Sequence, residues 1–320
     1  MNISFKGYDA VPLKAIHYEK SVYNDFFHEE MSSIAQQEKF QIRRVPDLLK
    51  WTQDYKTIVE NKKRPLMLTS WKVEEPYLNE IKKSFKLKHR IGQNYVTGGN
   101  CFIGKLPNGE KWMLVGEDDV EHQGKTPIAR EYNIKPENIF IVPQQNFHID
   151  MFLRPIGYPY VLVDNPELSL QKLLQMDWRG YGDEMEIIES NYRKFEEERK
   201  HNYATHESVI TALKKSGFKP IEIAGVFGNG INFMNAVVNK HKDGSISYIT
   251  NSTSCNSPFI SKFQDEFERE LREKVPDLDK VYFISGNRYD QSNIMMDTLS
   301  ARGGGIHCMT TEEPNFKKWV

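Results

Sequence analysis

Cysteine is scarce in this sequence, with Cys101, Cys255 and Cys308 the only three among 320 residues. Their number is odd and their spacing unpaired, so neither a disulfide scaffold nor a zinc ribbon is indicated. Charge of one sign is also missing, because 43 Lys and Arg face 44 Asp and Glu for a formal net charge of -1. The strongly basic field on which non-specific nucleic-acid binding relies is therefore lacking, and nucleic acid is not an expected partner. Nowhere do about eighteen apolar residues run together, which argues against a membrane span. The stretch MNISFKGYDAVPLK has no basic segment followed by an apolar run, so a cytoplasmic location is expected, with secretion lacking a cleavable signal left open. No Pro/Ser-rich linker or low-complexity tract divides the chain, and a single domain over residues 1–320 is expected. What is present, 39% hydrophobic and 12% aromatic residues, is the make-up of a globular protein able to bury a core without staples.

Short β-prone runs alternate with amphipathic charged segments along the whole length. Strands are expected at Val11–His17, Phe40–Val45, Tyr55–Val59, Pro65–Trp71, Asn100–Gly104, Lys111–Gly116, Ile139–Pro143 and Tyr160–Val163, then at Pro220–Val226, Ala236–Asn239, Ser247–Thr250 and Lys280–Ile284. Asn61-Lys62-Lys63, Pro107-Asn108-Gly109 and Lys242-Asp243-Gly244 sit between paired runs and read as hairpin turns. Helices are expected at Ser21–Gln37, Pro76–Leu87, Leu168–Gln175, Met185–Lys200, Glu207–Ser216 and Lys262–Lys274, the last with Phe263, Phe267 and Leu271 on one face. The stretch 47–61 is ambiguous, since Leu48, Trp51, Tyr55, Ile58 and Val59 also suit a helix face. Strand, turn, strand, helix recurs several times, as a pseudo-repeated α/β ring requires.

The segment Gly303-Gly304-Gly305-Ile306-His307-Cys308 puts a cysteine after a glycine run that lets backbone N–H groups approach a ligand. A lone cysteine is also a common buried hydrophobe, so its partners decide its role. His307 is not expected to serve its neighbour, because adjacent side chains on an extended segment point to opposite faces. In His148-Ile149-Asp150, by contrast, two residues of an extended segment project to the same side and suit acid–base work beside a cation. A plain His–Asp hydrogen bond at a strand end fits the same pattern. Asp54, at the start of a β-prone run, could add a second carboxylate for bidentate guanidinium pairing, whereas on an amphipathic helix it would be solvated. His148 and His307 lack the spaced companions of a catalytic zinc site. The glycines Gly225, Gly228 and Gly230 do not follow the dinucleotide-binding order and read as a turn.

The order of Trp51-x-x-Asp54, Gly98-Gly99-Asn100, His148-x-Asp150 and the late Gly-Gly-Gly-Ile-His-Cys resembles the guanidino-group-modifying enzymes, the pentein superfamily, and most of all its agmatine and peptidyl-arginine deiminases. The resemblance spans roughly residues 40–310. It implies an α/β propeller of five-fold pseudo-symmetry built from ββαβ-type modules. It also implies a hydrolase in which Cys308, His148, Asp150 and Asp54 are catalytic, the two aspartates also binding substrate. Trp51, Gly98, Gly99, Asn100, Asn235 and Gly305 would line the substrate, and Arg154 and Arg302 could grip its carboxylate or peptide carbonyl, although an outward salt bridge suits either arginine equally. The family order places Asp54 before a strand rather than on a helix.

The substrate implied is a guanidino small molecule or a protein arginine, attacked by Cys308 to give a thiouronium intermediate and then a ureido product and ammonia. No cofactor or metal is expected, and a homodimer is an open expectation. Amidino transfer, dimethylarginine-type hydrolysis, a non-catalytic guanidinium or peptide-binding module, and a thiol hydrolase of amides remain as alternatives. Thr97 stands where arginine and agmatine deiminases carry an acidic residue, which bears on specificity for those two substrates.

Overall fold

A computed structural model of the chain describes residues 12–19, 25–45, 52–61, 64–73, 75–84, 87–177, 179–228, 230–252, 258–285 and 304–315. Among these residues fifteen strands form five sheets of three, and every sheet repeats one plan. In the second module β3 (Lys56–Asn61) runs antiparallel to β4 (Arg64–Ser70), and α3 (Glu75–Ser84) crosses over to β5 (Lys88–Gly92), parallel to β4. The third has β6 (Cys101–Lys105), β7 (Lys111–Gly116) and β8 (Ile139–Val142), with α4 (Glu117–Gln123) and α5 (Lys125–Tyr132) as the crossover. The fourth has β9 (Leu153–Gly157), β10 (Tyr160–Asp164) and β11 (Lys219–Ile223), joined by α6 (Pro166–Gln175), α7 (Gly182–Asn202) and α8 (His206–Lys215). The fifth has β12 (Val237–Lys240), β13 (Ile246–Asn251) and β14 (Leu278–Ile284) with α9 (Pro258–Lys274).

The first module is closed by the far end of the chain. There β15 (Thr311–Pro314) pairs antiparallel with β1 (Leu13–Glu19), which α1 (Asp25–Glu38) links to the parallel β2 (Gln41–Val45). β3, β6, β9, β12 and β15 all line one axial cavity of about 130 Å³, so the five sheets surround a common axis. The protein is a five-fold pseudo-symmetric α/β ring, as the sequence resemblance implies.

Sequence pattern accounts for the layers. Middle strands are covered on both faces and read as unbroken apolar runs, such as Trp112-Met113-Leu114-Val115 and Val161-Leu162-Val163, all buried. The crossover helices bury a single stripe, Phe27, Met31 and Ile34 on α1 and Phe263, Phe267 and Leu271 on α9. Three strands were not expected. β5 (Lys-His-Arg-Ile-Gly) is largely exposed. β9 contains Pro155, tolerated because an edge strand bonds on one side only. β15 reads Thr-Glu-Glu-Pro, and its buried Glu313 is matched by His17 (2.9 Å), Arg43 (3.2 Å) and Lys14. The helices α4 and α5 were also not anticipated, whereas the six expected helices all have counterparts among the described residues. Stretch 47–61 contains both answers. One helical turn, α2 (Thr52–Tyr55), runs directly into β3. Among the described residues no helix is long and apolar enough to cross a membrane.

Candidate active site

The five sequence segments singled out for chemistry occupy equivalent places in the five modules, each just ahead of an inner strand. Asp54 precedes β3, Gly98-Gly99 precedes β6, His148 and Asp150 precede β9, Asn235 precedes β12, and Cys308 precedes β15. Pseudo-symmetry therefore gathers residues far apart in sequence, as the 2.8 Å contact between Gln53 and His307, 254 positions apart, shows.

At the centre, Cys308 Sγ lies 3.2 Å from Asp150 Oδ2. Facing atoms of His148, Asp150 and Cys308 all fall within 4.8 Å of one another. Among the described residues, His148 Nδ1, Asp150 Oδ1 and Asp54 Oδ1 are buried polar atoms with no hydrogen-bond partner. Gly99 makes this arrangement sterically feasible, because a Cβ there would lie 2.5 Å from His148 Nδ1 and 3.2 Å from Asp150 Oδ1. The backbone N–H of Gly99 also faces Asp54 and favours its ionised form.

Two extended-segment expectations are corrected. His148 is extended (φ −134°, ψ 147°), but Asp150 lies in a 3₁₀ turn, Ile149–Met151, and the pair still reaches the same centre. Ile306–Met309 is a single helical turn, so His307 and Cys308 do not point apart. Both reach one oxygen: His307 Nδ1 lies 2.8 Å from Asp150 Oδ2, which Cys308 also contacts.

The cysteine turn is held by asparagines. Asn235 Oδ1 accepts from the backbone N–H of His307 (2.8 Å) and Cys308 (3.4 Å), and its Nδ2 donates towards Cys308 Sγ (3.1 Å). Asn251 Oδ1 accepts from Ile306 N at 2.8 Å, and Asn251 Nδ2 donates to the carbonyls of Asn232 and Asn235. Gly305 is needed beside them, since a Cβ would meet Asn251 Nδ2 at 2.6 Å and Asn235 Oδ1 at 2.8 Å. Thr52 ties the Asp54 turn to the cysteine turn through the Met309 carbonyl, 2.8 Å away. Asn232 belongs to the Asn232-Phe233-Met234-Asn235 segment that the sequence singles out, whereas Gln53, His307 and Asn251 have no predicted role in the site. The only sequence signal for Gln53 and His307 is adjacency, Gln53 beside Asp54 and His307 beside Cys308.

Burial governs the electrostatics. It raises the carboxyl of Asp54 to about 7, opposed by the Gly99 N–H. It raises Asp150 to about 8, against the stabilising contact with Cys308 and with Asp54 adding to the rise. His148 is lowered to about 4 by burial. The Cys308 thiol is pushed well above its ordinary value by burial, then by Asp150 and Asp54. Without a cation, such a site favours protonated acids and a protonated thiol.

Other expected substrate contacts stand elsewhere. Arg154 faces the axial cavity, paired with Glu312 at 2.7 Å and set over the Phe102 ring at 5.0 Å, because a buried guanidinium needs both neutralisation and a flat surface. Asn100 braces the framework, donating to Asp119 (2.8 Å) and Gln144 (3.3 Å) and accepting from Ile149 N (3.3 Å). Gly98 packs on Gln53, whose backbone oxygen would lie 2.2 Å from an added Cβ. Thr97 caps the 3₁₀ turn at Gly98–Asn100, its carbonyl accepting from Asn100 N. Trp51 and Arg302 lie outside the described residues.

No protein-family model matches the sequence, and no curated protein matches it by sequence. The fold is similar to solved structures of low identity. Agmatine deiminase of C. Jejuni is 14% identical, with 98% of this chain and 99% of that chain covered and a TM-score of 0.56. Agmatine deiminase of Enterococcus faecalis is 11% identical, with 98% of both chains covered and a TM-score of 0.53. An inosamine-phosphate amidinotransferase of Streptomyces griseus is 8% identical, with 97% of this chain and 95% of that chain covered and a TM-score of 0.53. The chain has the fold of the guanidino-group-modifying, or pentein, enzymes.

Proposed function

We propose that the protein is a hydrolase of guanidino groups that releases ammonia and leaves a ureido product. One observation carries this reading: Asp54 Oδ1 and Asp150 Oδ1 are buried without a hydrogen-bond partner among the described residues, and Asp150 lies within 4.8 Å of the buried Cys308 thiol and the half-buried His148 imidazole. A planar cation with several N–H donors answers both carboxylates at once and holds its central carbon against Cys308 Sγ. A neutral amide substrate would leave the second carboxylate uncompensated. The fold shared with deiminases of agmatine supports the same class.

The chemistry follows from the residues. The bound cation favours ionised Asp54 and Asp150 and lowers the thiol's cost of ionisation. The Cys308 proton passes to His148, and the thiolate attacks the guanidinium carbon to give a tetrahedral adduct. The imidazolium protonates the departing nitrogen, which leaves as ammonia, and a thiouronium remains on Cys308. His148 then takes a proton from water as its oxygen attacks that carbon, and collapse expels the sulfur. The sulfur recovers its proton and the ureido product departs. Asn235 Nδ2, 3.1 Å from Sγ, stabilises the sulfur anion at both ends of the cycle. A cavity of about 240 Å³, lined by Phe147, Met151, Phe195, Tyr203 and Asn232, offers room for the rest of the substrate beside Met151, which packs on Cys308.

The test is ammonia and ureido release from free arginine, agmatine, methylated arginine and an arginine-containing protein, with Cys308→Ala as control. Turnover abolished in the control is expected. Amidino transfer to an added amine without free ammonia would reassign the reaction, and binding without turnover would leave a binding module.

A further inference from the structure

His307 sits between the reaction centre and the axial cavity, and its ring is fixed on three sides. Its Nδ1 is 2.8 Å from Asp150 Oδ2 and its Nε2 is 2.8 Å from Gln53 Nε2. Phe102 stacks on the ring, with centroids 5.2 Å apart and planes 23° apart. The two ends agree on one tautomer. An ionised Asp150 can only accept, so Nδ1 carries the proton, and Nε2 then presents a lone pair to the Gln53 amide N–H. Burial, with Arg154 and His148 as further causes, keeps the ring neutral.

We propose that His307 is a positioning residue for Asp150: its Nδ1–H clamps Oδ2, the oxygen that Cys308 also contacts, and so leaves Oδ1 turned to the substrate cation. Gln53 fixes the tautomer, which couples the turn before β3 to the turn before β15. This role rests on the guanidinium reading above. Among the described residues the charged and titratable groups around Asp150 are His148 on its own turn, Asp54 ahead of β3, Cys101 on β6, Arg154 on β9, and His307 with Cys308 on the cysteine turn, while Glu312 on β15 lies 3.6 Å from His307 Nε2. His307 alone among them donates an N–H to Oδ2, while Arg154 supports the ionised form from a distance.

The experiment measures affinity for n-butylguanidinium by calorimetry from pH 5 to 9 in chains carrying Cys308→Ser, which keeps a hydroxyl donor near Oδ2. Cation binding needs ionised Asp150, so affinity falls towards acid. Adding His307→Leu removes a donor to the charged form and is expected to move that acidic limit upward by about one pH unit. His307→Asn, whose amide N–H can take the place of Nδ1–H, is expected to return it. Gln53→Met frees Nε2 and moves the limit in the same direction by less, and serves as the test should His307→Leu fail to fold. An affinity lowered equally at every pH, with the limit unmoved, overturns the positioning role. No binding by the His307-intact chain overturns the guanidinium reading itself.

Discussion

Cys308 Sγ lies 3.2 Å from Asp150 Oδ2, both groups buried, so the proposed nucleophile and the group that would bind the cation are held in one contact. A thiol beside a carboxylate is a poor nucleophile. The anion of either raises the cost of the other, and burial raises both. Such a pair rests protonated until a cation enters.

The first consequence is slow alkylation in the empty site. Cys308 should react with iodoacetamide with a pH midpoint above the ordinary cysteine value of about 8.5. Asp150→Asn should lower the midpoint, since a carboxylate that opposes the thiolate is gone. Peptide mass spectrometry distinguishes Cys308 from the other cysteines. Fast reaction of the unmodified protein at neutral pH, or a higher midpoint in the variant, would contradict the pairing.

Gly99→Ala tests the geometry. The new methyl would lie 2.5 Å from His148 Nδ1, displacing the imidazole or the Asp150 turn. A misplacement of about 1 Å costs on the order of a hundredfold in rate. kcat/KM should fall by about that factor for the preferred substrate, while the thermal midpoint changes little. A variant with near-normal kcat/KM would show that His148 has no fixed role.

The ring plan was legible in the sequence because module interiors obey simple periods: apolar runs for buried middle strands and a 3.6-residue stripe for α1 and α9. The inner strands were harder. β9 and β15 carry Pro155, Glu312 and Glu313, residues that depress strand propensity and are satisfied only by partners distant in sequence, such as His17 with Glu313 and Arg154 with Glu312. The site reads similarly. Asp54, His148, Asp150 and Cys308 stand out as chemical types, but Gln53, Asn251 and His307 acquire meaning only through contacts across modules. Local period also misjudged His307, because a four-residue helical turn bounded by glycine gives too short a pattern to read.

Asn235 joins backbone support to electrostatics, and substitution can separate them. Asn235→Asp keeps an oxygen for the N–H groups of His307 and Cys308 but places a third carboxylate near the sulfur and removes the Nδ2 donor. The iodoacetamide midpoint at Cys308 should rise further and kcat should fall by more than tenfold, a loss exceeding about 1.4 kcal/mol in the barrier. Circular dichroism should remain that of the parent. An unchanged midpoint would mean that the amide does not act on the sulfur.

Carboxylate oxygens buried without a hydrogen-bond partner among the described residues, as at Asp54 Oδ1 and Asp150 Oδ1, should make the empty protein less stable than it need be. Burial raises Asp54 in the folded protein to about 7 from its ordinary value of 3.8. Its raised value means that its favourable contribution is complete below about pH 4 and is lost as pH rises through about 7. Asp54→Asn, which carries no charge at any pH, should therefore gain on the parent as pH increases. The difference in unfolding free energy should move in favour of the variant by on the order of 1–2 kcal/mol between pH 5 and 8, seen as a shift of a few degrees in thermal midpoint. Differential scanning calorimetry at the two pH values measures it, and comparison of variant with parent cancels the titration of unrelated groups. A bound guanidinium should narrow the gap at pH 8 by stabilising only the parent's ionised Asp54. A gap that is constant with pH would place Asp54 in water rather than in a cation site.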